Sequence, residues 1–515
     1  MMNKPTSSGQ PRARLSVQWC AMLAMALDGL GCAMTKASQT FLIEQAICRA
    51  YYTEHDPSFV TPDGRVPEAL CKTEELQSRV TLFAAGLDFS MLITCFLASP
   101  IYTRLASLVG ARQILILNTT SFALRMAWYA AAFYLHNIID VRWVLLSAFF
   151  DLLGGGIPMR EILLYLYIAG SVPEEGMTGT FNLLSAILIG MMSLGTFIGA
   201  RLLNVNVFIT CALIVAVYVF LVPLVSLFPH HHGEQSQSQR TLRTYNTDDA
   251  SGDEIRSLMI VDETVDEMVI AIQSDPPFMA DHDGDQATKA RTPTLFRALL
   301  RAATVDLYLS IELVVQTFRH PFTRRVMMLF FGTTLAAVIS MTTPQWASGT
   351  FQTSLSQVDQ ITALEQIISA CTLLALPLLS RYVLRPRLHA KHAVDLAIIV
   401  GSLLTGILSA LVIAMAPSLS IYAIGVAIGA TGMGLSDALR SFATSGLSSE
   451  EAVQRLYMSI RTVQTLAAIA GTPLWSGLLL WIISNPSVPR GLLYLGNCGV
   501  LITCLLSIKF LQRPS

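Results

Sequence analysis

The sequence predicts an all-α membrane protein of twelve transmembrane helices, arranged as two six-helix bundles. Three observations predict it. Of its 515 residues 53% are hydrophobic and 13% charged, with a mean hydropathy of +0.55, whereas a soluble domain carries about 25% charged residues. Apolar runs of about 20 residues, the length that crosses a hydrocarbon core, recur twelve times. Six of these runs precede residue 229 and six follow residue 321, with a polar, acidic stretch between them. The net charge of -1 gives no ground for a nucleic-acid partner.

The runs fall at 17–44, 78–103, 112–135, 142–170, 179–202 and 205–228, then 322–345, 358–380, 393–415, 419–445, 454–484 and 490–511. The first is too long for a signal peptide and lacks a small-residue cleavage site, so it reads as a retained span. Lys and Arg in short loops set orientation. Lys4, Arg12 and Arg14 precede span 1, Arg104 and Arg112 lie between spans 2 and 3, and Arg381, Arg385, Arg387 and Lys391 lie between spans 8 and 9. All fall on one side if both termini are cytosolic. Seven of the nine cysteines lie within spans. The other two, Cys48 and Cys71, flank the first loop on the opposite, oxidising side, where a disulfide persists. The alternative for them is two buried thiols near the interface.

The chain divides into a cytosolic tail (1–16), a first bundle (17–228), a cytosolic linker (229–321) and a second bundle with its tail (322–515). Residues 248–285 hold twelve acidic residues against Arg256. Such a segment buries too little apolar surface to offset the entropy of ordering, so the linker reads as largely disordered. Within it, 294–318 reads as an amphipathic helix on the membrane surface, and His230–His232 as a solvated tract. Shifting one half over the other by 276 residues aligns Gly156 with Gly432, Gly195 with Gly471 and Glu161 with Asp437. A parallel repeat of six spans is a transporter architecture.

The sequence resembles the major facilitator superfamily over nearly all of its length outside tail and linker. The loop "LASLVGARQ" is similar to a decayed form of the family's cytosolic gating motif, keeping Gly110 and Arg112 while Ser107 replaces the usual Asp. "GTFIGA" (195–200) is similar to the antiporter signature G-P-x-x-G-G, with Thr196 and Ala200 in place of Pro and the last Gly. "FFDLLGGG" places Asp151 where many relatives carry Arg. The segment from Glu44 to Gln77 resembles the first external loop of a fungal group, some of whose members accompany secondary-metabolite pathways. The resemblance implies the major facilitator fold and a midplane cavity opened alternately by rocking of the bundles. It also implies a proton gradient as the driving force. The lost Asp means that a cytosolic latch uses other partners, and the lost Pro weakens the case for export.

An ionisable residue at membrane depth costs about 2.5–3.5 kcal/mol on insertion scales, so it marks function unless it locks helices together. Neighbouring side chains on a helix diverge by about 100°, so Arg160 and Glu161 need separate partners. Glu161 is expected to face the cavity and Arg160 to pair with another helix, the alternative being a structural pair near the cytosolic gate. Asp28, Thr35 and Gln39 form one polar stripe on span 1. Asp28, expected to meet the cavity, is the leading proton carrier, ahead of Glu161 and Glu365. Lys36, Asp88, Arg125, Asp151, Asp437, Arg461 and Gln464 complete the cavity or substrate candidates, each with the alternative of an interhelical lock.

No phosphate-cradling loop, enzyme signature, cofactor motif or metal site is legible. The sequence therefore leads to proton-coupled export of a small organic molecule such as a fungal secondary metabolite. Proton-coupled uptake of a nutrient or organic anion is the alternative, which Arg125 and Arg160 would suit. A receptor or scaffold would have no reason to keep intramembrane charges. The expected partners are the substrate, protons and the lipid bilayer, with the monomer as the functional unit. The expected location is the plasma membrane, or else a vacuolar or vesicular membrane.

Overall fold

Apolar runs in hydrocarbon become helices because every backbone N–H and C=O must find its partner within the segment. The computed structural model describes residues 10–61, 64–135, 140–169, 174–203, 205–228, 308, 315, 318, 321–388, 391–444, 450–485 and 487–508, and these are helical throughout apart from short connections. The acidic stretch, His230–His232 and nearly all of the amphipathic segment 294–318 lie outside the described residues.

Among the described residues, ten helical segments are long and apolar enough to cross a membrane. Two of the twelve expected spans fall outside that set. Helix α3 (Ala111–Tyr134) has the length, but Arg112, Gln113, Asn118, Thr119, Thr120 and Arg125 dilute its apolar character. The last helix, Leu492–Ile508, is strongly apolar but has 17 residues. The first helix, α1 (Gln10–His55), runs eleven residues beyond the expected end at 44, because no Pro or Gly intervenes before Pro57. Its extension carries the loop to α2 (Glu74–Val109), and a Cys48–Cys71 disulfide with Cα atoms 5.5 Å apart pins that loop.

Span 4 is not one helix. A short α4 (Ser147–Leu152) stops at three glycines and α5 (Gly156–Ala169) resumes the path. Gly155 and Gly156 have φ of 79° and 68°, values that cost little without a Cβ. The freed carbonyls are bonded from outside the helix, as membrane depth requires. Asn118 Nδ2 donates to Gly154 O (2.5 Å) and Gly156 O (2.8 Å), and Tyr102 Oη donates to Leu152 O (2.8 Å). After it come α6 (Glu174–Leu203) and α7 (Val207–Ser226).

The second half comprises α8 (Pro321–Ala337), α9 (Thr343–Phe351), α10 (Leu355–Leu379), α11 (Lys391–Ala414), α12 (Leu419–Ala430), α13 (Leu435–Thr444), α14 (Glu450–Ser484) and α15 (Leu492–Ile508). Span 10 is interrupted like span 4, at a turn holding Gly432 and Gly434 between α12 and α13.

Among the described residues, a large apolar core draws on residues 21–228, a small one on Cys48, Val66, Cys71 and Leu76, and two more on 326–508. The halves touch mainly through α6 against α10 and α2 against α14. Among the described residues, polar contacts also join them: Ser356 Oγ donates to Ala200 O (2.7 Å) and Ser193 Oγ to Ala363 O (2.8 Å). Thr196, at the position of the signature proline, donates to Gln366 Oε1 (3.0 Å), a bond that proline cannot make.

Candidate functional site: a buried charge network

Four charged side chains lie enclosed in the first half: Asp28, Arg125, Asp151 and Arg160, none more than 2% exposed. They form two pairs. Arg125 Nη1 on α3 donates to both oxygens of Asp151 on α4, at 2.8 and 2.7 Å. Arg160 Nη2 on α5 lies 2.7 Å from Asp28 Oδ1 on α1. Phe122 links the pairs, with the Arg125 guanidinium 4.0 Å and the Arg160 guanidinium 4.5 Å from its ring centroid. Tyr218 on α7 packs against Phe122 at 4.4 Å between centroids and donates from Oη to Asp28 Oδ1 at 3.2 Å. Gly31 makes room for Tyr218, since a Cβ there would sit 2.8 Å from its ring.

The two pairs differ in bonding. Arg125–Asp151 has two well-directed charge-assisted hydrogen bonds, the strong kind. Arg160–Asp28 is a close ionic contact in which none of the three guanidinium nitrogens has a hydrogen-bond acceptor at good angle. Both pay the desolvation of buried charge, and the first is the better compensated, with two directed bonds although Arg125 Nε also lacks an acceptor. The first pair joins α3 to α4 and the second joins α1 to α5.

Arg160 thus pairs with another helix, as expected from the sequence. Its neighbour Glu161 lies in α5, and its side chain is outside the described residues. The expectation that Asp28 meets a cavity between the halves needs correction: Asp28 looks into the first half, where Arg160, Tyr218 and Phe122 enclose it. The same is true of the stripe as a whole. Thr35 and Gln39 line a cavity of about 20 Å³ together with Ser38, Met126, Tyr129 and Cys211, all of the first half. That is room for one water.

The side of α1 that looks toward the second half is marked instead by Lys36. Its Nζ lies 3.4 Å from Asp88 Oδ2 and 3.7 Å from Met341 Sδ in the other half, with 42% of the side chain exposed. Glu365 is half-buried on α10 with no ion-pair partner among the described residues. Arg461 is exposed on α14 and Gln464 half-buried there. Asp437 is exposed and faces Arg440 at 3.7 Å. Of the gating loop, Gly110 caps α2 at φ 108° and Arg112 donates to Ser226 O at the end of α7. Sequence reasoning missed Phe122 and Tyr218. The one signal for Phe122 is its position three residues before Arg125, and for Tyr218 a polar tip in an otherwise apolar helix.

Comparison with known proteins bears on this architecture. The family model of the Major Facilitator Superfamily matches residues 71–472. The chain is 28% identical to the MFS efflux pump atnC of Emericella nidulans over 229 residues, 44% of this chain and 45% of the relative. It is 28% identical to the MFS-type transporter aprT of Aspergillus flavus over 28% of this chain and 29% of the relative. The chain thus spans less than half the length of these curated relatives. Among solved structures, the human organic anion transporter MFSD10 superposes with a TM-score of 0.56 at 14% identity, covering 96% of this chain and 99% of that one. The xylose transporter XylE from E. coli gives 0.51 at 14% identity, covering 96% and 99%. These two likenesses show the fold.

Proposed function

Since this chain belongs to the major facilitator superfamily and is a multi-pass membrane transporter, we propose that it exports a small organic molecule, such as a fungal secondary metabolite, in exchange for protons. The observation that carries the reading is the Asp28–Arg160 pair: enclosed, ionic, and poorly hydrogen-bonded beside a well-bonded lock. A proton on Asp28 cancels its charge and leaves Arg160 uncompensated in a low-dielectric interior. That penalty favours rearrangement of α1 against α5. Loss of the proton to the cytosol restores the pair and the resting arrangement. Coupling of this kind needs one labile pair next to a rigid frame, and Arg125–Asp151 is the frame. The names of the fungal relatives, efflux pumps among them, favour the outward direction.

In this reading the chain forms two six-helix bundles and acts as a monomer in the plasma membrane. Both termini and the acidic linker are cytosolic, the disulfide loop is external, and Lys36, Asp88, Glu365, Arg461 and Gln464 border the substrate path. Uptake of an organic anion is the second reading, favoured by the exposed Lys36. It is disfavoured for Arg125 and Arg160, because each is enclosed against its aspartate, whereas Lys36, although 3.4 Å from Asp88, keeps 42% of its side chain exposed.

The test uses sealed vesicles of known orientation, with a pH-sensitive dye and a panel of labelled small organic compounds. Asp28→Asn keeps the shape and Tyr218 contact but cannot titrate. We expect it to reach the membrane and exchange bound substrate, while losing accumulation driven by a pH gradient. Normal accumulation with unchanged pH dependence would move the carrier to Glu161 or Glu365.

A further inference from the structure

The disulfide loop holds a second charge cluster, at the opposite end of the first half from Ser226 at the close of α7. Lys72 is buried, and its Nζ donates to both Glu44 oxygens (2.7 and 3.0 Å) and lies 3.1 Å from Glu68 Oε1. The same Glu68 oxygen accepts the backbone N–H of Leu355 at 2.7 Å. Leu355 opens α10 in the other half.

The first-turn N–H groups of a helix have no partner inside the helix. In α10 the Ser354 side chain caps the N–H of Gln357, and Glu68 supplies the acceptor for Leu355. A carboxylate suits that end of a helix dipole. Leu355 is 1% exposed, so without Glu68 its N–H would be buried unbonded. The loop is rigid enough to deliver one oxygen accurately. Gln45 exchanges two hydrogen bonds with the backbone of Val66 (3.1 and 3.2 Å), Tyr52 Oη donates to Leu70 O, and Cys71, adjacent to Lys72, is bridged to Cys48. Lys72 offsets the repulsion between Glu44 and Glu68.

We propose that Glu68 is the positioning residue that shuts the disulfide side of the transport path, by capping α10 of the opposite half. The naming of that side as external rests on the reading above. When the halves rock apart, both the carboxylate and the helix end meet water, so the latch releases without leaving a buried charge. The nearby Arg490–Glu74 contact, at 4.0 Å and half-exposed, adds little, as exposed pairs do.

The experiment is maleimide labelling with a membrane-impermeant reagent added from the disulfide side. The reporter is Met341→Cys in the full-length chain, and the same protein without the reporter gives the background. Met341, of the second half, faces Lys36 of the first. Glu68→Ala removes the acceptor. Leu355→Pro removes the donor at the first helical position, where proline is tolerated, and the preceding Ser354 already has an extended ψ of 147°. Leu355→Ala removes side-chain packing but keeps the N–H. We expect Glu68→Ala and Leu355→Pro each to speed labelling about tenfold, the shift that loss of one charge-assisted hydrogen bond produces. Together they should do no more than either alone, and Leu355→Ala should leave the rate near that of the parent. Cys48 and Cys71 should stay unreactive to thiol reagents in every variant, which separates latch release from loop unfolding. Parental labelling in Glu68→Ala, or equal acceleration by Leu355→Ala and Leu355→Pro, would overturn the proposal. Labelling needs no substrate, so its failure leaves proton-coupled export standing, and failure of the coupling test leaves the latch standing.

Discussion

A charge buried in a membrane protein is held in place by its partner, and the cost of losing that partner exceeds the worth of the pair. Removing one member leaves the other uncompensated, typically at about 3–5 kcal/mol. Arg125→Ala and Asp151→Ala should therefore each lower the melting temperature in detergent sharply. The double replacement Arg125→Met with Asp151→Val, apolar and closer in volume, should recover most of the loss. A double variant no more stable than the singles would mean that the pair does more than lock α3 to α4. Arg160 and Asp28 obey the same rule with a difference, since the guanidinium there has no well-directed hydrogen bond and less is lost when it parts. At this scale the sequence was informative for charges, because each one interrupts an apolar run. It was silent on Phe122 and Tyr218, because an aromatic in a membrane helix looks like packing until its neighbours are known.

Among the elements, span 4 shows how local chemistry shapes a path. Gly155 and Gly156 lack the side chains that would resist left-handed backbone, Gly154 lets Asn118 approach, and Asn118 supplies the bonds that the helix gives up. Gly155→Ala places a Cβ at φ 79°, 2.9 Å from Met159 Cβ, and should cost about 1 kcal/mol or more. Asn118→Leu strands two carbonyls at about 1–3 kcal/mol each if they stay dry. Both should appear as lowered thermal stability of the purified protein. Full stability in Asn118→Leu would show that water reaches the break. The glycine run itself was legible as a place of close helix approach. That it splits the helix was not, since glycine in a membrane helix serves packing as often as interruption. The matching interruption at Gly432 and Gly434 gives the sequence repeat a structural counterpart.

At the scale of the whole molecule, the halves are joined near the disulfide and by a linker that the sequence marks as unable to fold alone. The Cys48–Cys71 bridge closes a loop with a sequence separation of 23, worth about 3 kcal/mol in the chain-entropy model. Cys48→Ser should lower the melting temperature and render Cys71 reactive to thiol reagents. Retained stability with a reactive Cys71 would place the loop's strength in Lys72 and its two glutamates instead. Deleting 233–290 while keeping 294–318 should change abundance or regulation and leave turnover per molecule unchanged. A sharp loss of transport at normal surface level would make the linker part of the transport machinery.

Taken alone, the sequence determined the class of the protein, since a twelve-fold recurrence of apolar runs and the scarcity of charge leave few other solutions in a hydrocarbon solvent. It also determined which polar residues are costly, and that Arg160 must look beyond its neighbour for a partner. Only the tertiary structure decided that the partner is Asp28. It also showed that the polar stripe of α1 turns into the first half while Lys36 turns outward, and that Glu68 reaches the opposite half. The reason is physical. Helical periodicity says which side chains share a face, but the direction of that face is set by the packing of neighbouring helices. An ion pair between residues 28 and 160 exists only once four helices have closed around it.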